Sequence, residues 1–180
     1  KDYIVKQQHH NWNNVVTEYV ASRFIQACGV LCQNTIIAEY KERICVLCED
    51  FSKEFGNLKE FGSISSSFDT EKRKYDYYFK DVIHLLHKLK HVDMDYTVNA
   101  FWHMYIMDAI LGNPDRHQGN WGVCRKNGIY RLSPIYDNGA SLFPRAASYT
   151  IDKDWMHERT FVFPNSKIMF GDRNRSSYKQ

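Results

Sequence analysis

Asn113-Pro114-Asp115-Arg116-His117-Gln118-Gly119-Asn120, followed by Ser133-Pro134-Ile135-Tyr136-Asp137, is the stretch that decides the fold. Between its two halves, Trp121 to Cys124 and Gly128 to Leu132 are strand-like, and Lys126-Asn127-Gly128 supplies a hairpin turn. Folding about Asn127 and Gly128 sets Asn120 opposite about residue 135 of a paired ladder, so Asp137 falls within about two residues of Asn120. An amide oxygen and a carboxylate thus meet at the mouth of one hairpin. Both are hard oxygen ligands, suited to magnesium and poor for zinc. Asp115 stands on the preceding loop, just off the end of an apolar helix, where a rigid element can support a residue that aims a hydroxyl. Asp, Asn and Asp in this order are the groups needed to align an acceptor and hold a metal on nucleotide phosphates.

Each piece alone has a plainer explanation. Asp115 and Asn120 are ordinary turn formers beside Pro114 and Gly119, and Asp137-Asn138-Gly139 is a good turn by itself. The order of the pieces, after a buried helix and across a hairpin, favours phosphoryl transfer. Arg116 and His117 are placed to add positive charge or hydrogen bonds near phosphates. Asp108 is the single acid in the preceding apolar helix and needs partners, with Arg116 and loop amides as candidates for a structural role.

Upstream, Tyr3-Ile4-Val5-Lys6 is a strand candidate. Asn13 to Cys28 carries Val16, Val20, Phe24 and Ala27 at helical spacing and stops at Gly29. Asn34 to Tyr40 and Arg43 to Cys48 are two further strands. From Phe51 to Thr70 the pattern loosens, and Ser63-Ile64-Ser65-Ser66-Ser67 is expected to be a connector. Two helices follow. One runs from about Lys74 to Lys90, with Phe79, Val82, Ile83, Leu86 and Leu89 on one face. The other runs from Thr97 to Leu111, is apolar nearly all round and is expected to be buried. Gly112 and Pro114 end it.

The chain has 180 residues, is 43% hydrophobic and holds 12 tyrosines and 11 phenylalanines, enough to build a core. Its net charge of +3 is scattered, which argues against nucleic-acid binding. Five cysteines are expected to be reduced and mostly buried. Cys45 and Cys48 lie three apart on a strand and point to opposite faces, so they are not expected to share a metal. His84, His87 and His91 are interleaved with lysines and belong to a solvated face, and His9-His10 to a loop. Ser148, Tyr149, Thr150 and Thr160 are hydroxyls open to phosphorylation. No stretch is long enough to span a membrane. The chain opens on Lys1 without an initiator methionine and is expected to be a fragment.

The Asn113–Asn120 and Ser133–Asp137 segments resemble the catalytic and metal-binding segments of HipA-like serine/threonine kinases, relatives of the eukaryotic protein kinases. The Asp-Arg-His-x-x-Asn run is also similar to that of phosphatidylinositol kinases. The resemblance extends over most of the chain. Tyr3 to Lys6 resembles the strand bearing the ATP-binding lysine, and Asn14 to Gly29 the helix after it. Val46-Leu47-Cys48-Glu49-Asp50-Phe51 resembles the hinge that holds adenine.

What the resemblance implies is an α+β, protein-kinase-like fold of two lobes. Residues 1–51 would form an incomplete ATP-binding lobe and residues 52–180 a truncated, mainly helical catalytic lobe with the catalytic hairpin. It implies ATP and Mg2+ as cofactors. Asp115 would be the catalytic aspartate, and Asn120 and Asp137 the metal ligands. Lys6 would contact the α- and β-phosphates, with Glu18 pairing it. Glu49 and Phe51 would hold adenine through backbone groups, and His117 and Tyr136 would line the site. The activity implied is transfer of the γ-phosphoryl group to serine or threonine hydroxyls of a protein. A lipid or small-molecule kinase and an inactive nucleotide-binding module stay open beside it. Expected partners are a protein substrate and a regulatory or antitoxin protein, without nucleic acid or membrane, in the cytoplasm. The sequence departs from the family's relatives in places. Asn113-Pro114 precedes Asp115, Asn138 follows Asp137 where a phenylalanine is usual, and no glycine-rich loop precedes Lys6.

Overall fold

A computed structural model describes residues 1–8, 13–68, 77–142 and 168–169. The phosphorylation candidates Ser148, Tyr149, Thr150 and Thr160, the His9-His10 pair and the start of the helix expected from Lys74 lie outside the described residues.

The architecture is mixed α and β, with two three-stranded antiparallel sheets. The first holds β1 (Tyr3–Gln7), β3 (Arg43–Glu49) and β2 (Thr35–Tyr40), in that order. Between β1 and β2 runs helix α1 (Asn14–Ala27). A short helix α2 (Ser52–Phe55) leads to β4 (Asn57–Glu60), then α3 (Phe61–Phe68). The second sheet is ordered β4, β6 (Gly122–Lys126), β7 (Ile129–Leu132). Before it come β5 (Tyr77–Tyr78), α4 (Phe79–His87) and α5 (Met94–Leu111). β8 (Ile168–Met169) pairs with β5 in parallel. Among the described residues no helix is long and apolar enough to cross a membrane.

The hairpin folds as its turn residues dictate. Asn127 and Gly128 both take positive φ, 52° and 83°, which a two-residue primed turn requires. Val123 pairs with Leu132 and Lys126 with Ile129, and the ladder runs on through the Ser133 N–H to the Gly122 carbonyl. That register carries Asn120 towards Ile135. Ile135 in turn pairs in parallel with Cys32, ahead of β2, and so links the hairpin to the first sheet's side of the molecule.

Three expectations are corrected. The apolar stripe Val16, Val20 and Phe24 of α1 is the outer one, 42–45% exposed. The buried face is Val15, Thr17, Glu18, Ala21, Ser22 and Ile25, in part polar because it faces the site described below. The serine-rich run is no connector. Ser63 to Ser67 lie in α3, whose Phe61 and Ile64 are fully buried, while Ser66 and Ser67 hydroxyls bond back to carbonyls of the preceding turn. Helix α5 is not buried all round. Phe101, Met104, Met107, Asp108 and Leu111 face inward, whereas Ile106 and Ile110 are exposed. Its left-handed C-cap is Gly112, as its sequence predicts.

The main core gathers α1, α3, α4, α5 and the second sheet. Phe61 stacks on Trp121 with ring centroids 4.3 Å apart, and Phe101 meets Trp121 edge-on at 5.5 Å. Trp121 directly follows Asn120, so this aromatic cluster anchors the chain where the 113–120 loop enters the hairpin. Phe61→Ala is expected to lower the unfolding free energy by about 3–5 kcal/mol, read as a shift in the urea midpoint at constant slope. A loss under about 1 kcal/mol would show that the stack is not the anchor.

Candidate active site

The site is built from the end of α5 outward. The Asp108 carboxylate and the Arg116 guanidinium are both buried and meet in a bidentate pair, Nε to Oδ2 and Nη2 to Oδ1, each at 2.9 Å. Burial alone would lower the Arg116 pKa, but the adjoining Asp108 carboxylate raises it above the ordinary arginine value. The remaining N–H groups of Arg116 reach the Asn120 carbonyl at 2.8 Å, the Tyr136 carbonyl, and Asn138 Oδ1 at 2.7 Å. All five donors of the guanidinium are used inside the protein. The expected placement of Arg116 near phosphates is therefore corrected: it faces inward and holds the loop together. It also grips the backbone of Asn120 and of Tyr136 at once, which brings the two arms of the motif together.

Asp115 is pinned by its backbone. Its N–H donates to Asn113 Oδ1 at 3.1 Å, and Asn113 Nδ2 donates to Asp108 Oδ1 at 2.9 Å. The Asp115 carbonyl accepts from His117 N–H at 2.7 Å and from Asn120 Nδ2 at 2.8 Å. Its carboxylate is exposed and has no partner among the described residues. Because the Asn120 amide nitrogen is committed to Asp115, its Oδ1 remains as an acceptor. His117 Nδ1 accepts from Gly119 N–H at 3.0 Å, which leaves Nε2 as the nitrogen that can reach a ligand.

The other arm comes from the first sheet. Lys6 Nζ lies 2.9 Å from Glu18 Oε2 and 2.7 Å from Asp137 Oδ1. Burial pulls the Lys6 pKa down, but the Glu18 and Asp137 carboxylates outweigh it and raise the value above that of a free lysine. Tyr136 donates its hydroxyl to the Gly119 carbonyl at 3.0 Å, and burial raises its pKa. Its ring lies 5.9 Å from that of Phe51. Phe51 N–H has no partner among the described residues. Glu49 is more occupied, since its N–H donates to the Asn34 carbonyl and its carbonyl accepts from Gln33 Nε2, at 2.9 and 3.0 Å. Its carboxylate pairs with Lys1.

Two residues escaped the sequence reading. Asn113 carried no role of its own in the motif, yet it is fully buried and joins Asp108 to Asp115. Ile4 lies two positions before Lys6 on the same strand face, is 58% exposed, and offers an apolar surface beside it. Hard oxygen ligands of the kind magnesium takes are present in Asn120 Oδ1 and the Asp137 carboxylate, the latter with Lys6 beside it. Among the described residues no cluster of three His, Cys, Asp or Glu side chains could hold a metal. A separate cavity of about 400 Å3 is lined by Gln26, Cys32, Gln33, Glu49, Phe51 and Phe55. It shares only the Glu49–Phe51 end with the site, since Lys6, Asp115, Asn120 and Asp137 do not line it.

All five cysteines are free, with Cys28 exposed and the others buried. Burial pushes the thiols of Cys32 and Cys124 up to about 11 and that of Cys48 to about 12. At pH 8 those three remain protonated and unreactive. Alkylation of the native protein is expected to label Cys28 first, and mass spectrometry showing early labelling of Cys32 or Cys48 would contradict this. Asp108→Ala leaves the Arg116 charge buried without its carboxylate and is expected to cost about 3–5 kcal/mol in chemical denaturation. A cost under about 1 kcal/mol would show that the guanidinium has another way to be satisfied.

Residues 1–175 match the HipA-like C-terminal domain. The chain is 30% identical over 174 residues to serine/threonine-protein kinase CtkA of Helicobacter pylori, an alignment covering 92% of this chain and 54% of CtkA. It thus spans about half the length of that curated relative. The crystal structure of the H. pylori proinflammatory kinase CtkA is similar with a TM-score of 0.80 and 30% identity, over 93% of this chain and 62% of that one. HipA in the Shewanella oneidensis MR-1 toxin–antitoxin complex with HipB and operator DNA gives a TM-score of 0.49 at 17% identity, over 76% of this chain and 36% of that one. The chain belongs to the HipA-like C-terminal domain family.

Proposed function

We propose that this chain carries the catalytic part of an ATP- and magnesium-dependent protein kinase that transfers the γ-phosphoryl group to a serine or threonine hydroxyl. The observation that carries the reading is the convergence of Lys6, Glu18 and Asp137 in one ion-paired set, on a motif whose other arm fixes Asp115 and Asn120. The likeness to a serine/threonine-protein kinase over most of the chain supports it. The boundary between a small nucleotide-binding lobe and a larger catalytic lobe falls at Phe51, two residues past the end of the first sheet at Glu49.

On this reading the exposed Asp115 carboxylate accepts a hydrogen bond from the acceptor hydroxyl and aims its oxygen in line with the γ-phosphorus. Aim matters more than proton removal, because the transition state is loose. Asn120 Oδ1 and the Asp137 carboxylate hold the metal, which when bound neutralises charge on the phosphates. Lys6 exchanges its pairing with Asp137 for the α- and β-phosphates and keeps Glu18 as its anchor. His117 presents Nε2 to the phosphates. Ile4, Phe51 and Tyr136 supply apolar walls for adenine, and the unpaired N–H of Phe51 is a donor for its ring. Glu49 contributes less, because its backbone groups already have partners within the protein.

The test is incubation of the purified chain with labelled ATP, Mg2+ and a generic protein substrate. Phosphoserine or phosphothreonine is expected, with Asp115→Asn and Asp137→Asn each reducing incorporation by at least about 100-fold. Asp115→Asn is expected to bind ATP as the unmodified chain does. Incorporation that requires lipid vesicles would move the acceptor to a lipid. Nucleotide-induced thermal stabilisation without any turnover would make the chain a binding module.

A further inference from the structure

We propose that Asn138 is a positioning residue that holds the Asp137 carboxylate in place for its metal by tying it to α1. This rests on the kinase reading above. Asn138 is fully buried, and every polar group it owns is used. Its N–H donates to Glu18 Oε1 at 2.8 Å, and its carbonyl accepts from Ser141 N–H at 3.0 Å. Its Oδ1 accepts from Arg116 Nη2 at 2.7 Å, and its Nδ2 donates to Ser22 Oγ at 3.1 Å and to Cys32 Sγ at 3.5 Å. The amide orientation is fixed by chemistry, since a guanidinium has only donors and must face the oxygen.

The bonds form a closed circuit. Glu18 gives one oxygen to Lys6 and the other to Asn138 N–H, while Asp137, bonded covalently to Asn138, returns to Lys6. Thr17 adds a bond from its hydroxyl to the Gly139 carbonyl at 2.7 Å. Three side chains of one α1 face, Thr17, Glu18 and Ser22, therefore hold the two residues that follow Asp137.

Asp137 needs this support. Its φ is +58°, a left-handed conformation that a residue with a Cβ adopts only when its surroundings impose it. Arg116 grips the residue on either side of it, at the Tyr136 carbonyl and at Asn138 Oδ1. Remove the Asn138 amide, and one of the two grips and the Ser22 link both go. Asp137 can then relax to negative φ and carry its carboxylate away from Lys6 and the metal position. An apolar residue in place of Asn138 could fill the space but could make none of these side-chain bonds.

The test is titration of Mg2+ into the chain with ATP, read by calorimetry, beside ATP binding without metal. Asn138→Leu is expected to raise the Mg2+ concentration for half-maximal binding by about tenfold or more, while metal-free ATP affinity changes by less than about threefold. Ser22→Ala cuts only the α1 end of the amide and is expected to shift Mg2+ dependence in the same direction by about threefold. If Asn138→Leu does not fold, the Ser22→Ala result decides. Unshifted Mg2+ dependence, or equal losses with and without metal, overturns the proposal, while phosphate incorporation by the unmodified chain in the assay above leaves the kinase reading standing. Absence of that binding in the unmodified chain overturns both.

Discussion

The buried guanidinium of Arg116 is the constraint on which the site depends. It carries a charge into a region with almost no solvent, and it does so with a full set of five partners. A buried ion pair adds little net stability compared with apolar packing, because desolvation offsets most of the attraction. What it adds is register. Three segments that share no secondary structure must present a carboxylate, two backbone carbonyls and an amide oxygen at fixed angles around one planar group. A lysine could not do this, since a compact ammonium has three donors and no fork. The end of α5, the entry to the hairpin and the end of its return arm are thus placed by one side chain.

The first sheet supplies the opposite charge pattern. Lys6 stands between two carboxylates, one buried on α1 and one partly exposed on the return arm. The local balance is one negative charge in excess, which leaves room for a divalent cation and argues against a resting site for a free anion. On the proposed reading a divalent cation would offset that excess, and Lys6 would move from Asp137 to phosphate oxygen. The ion pair therefore holds the lysine in position without committing it.

Much of the site was legible from residues because it is local. The hairpin register follows from Asn127 and Gly128, and it sets where Asn120 and Asp137 stand relative to each other. Gly112 and Pro114 mark the end of α5, so Asp115 had to sit on a loop beyond a supported helix. Hydrophobic periodicity failed where polar residues are buried. On α1 the inward face includes Thr17, Glu18 and Ser22, and the apolar stripe Val16, Val20 and Phe24 points outward, so the strongest pattern marked the wrong face. The serine-rich α3 failed for the converse reason. Its hydroxyls bond to their own helix, and two buried side chains suffice to dock it. Arg116 carried two expectations, a place near phosphates and a structural pairing with Asp108, and the structure shows the second. The convergence of Asn120, Tyr136 and Asn138 on the same guanidinium joins residues too far apart in sequence to be read from spacing.

The same convergence explains why a polar residue follows Asp137. In an apolar core, a side chain at this position would be held by packing, which tolerates small rotations at little cost. Around Asn138 the surroundings are Glu18, Ser22, Cys32 and Arg116, most of them already hydrogen-bonded. An apolar side chain there would strand a guanidinium N–H and a serine hydroxyl away from water, each at about 1–3 kcal/mol. The amide is the group that can accept from the one and donate to the other at once. Its directional bonds also resist rotation more strongly than packing does. The polar network around the buried arginine thus dictates both the residue after Asp137 and the left-handed conformation that Asp137 takes.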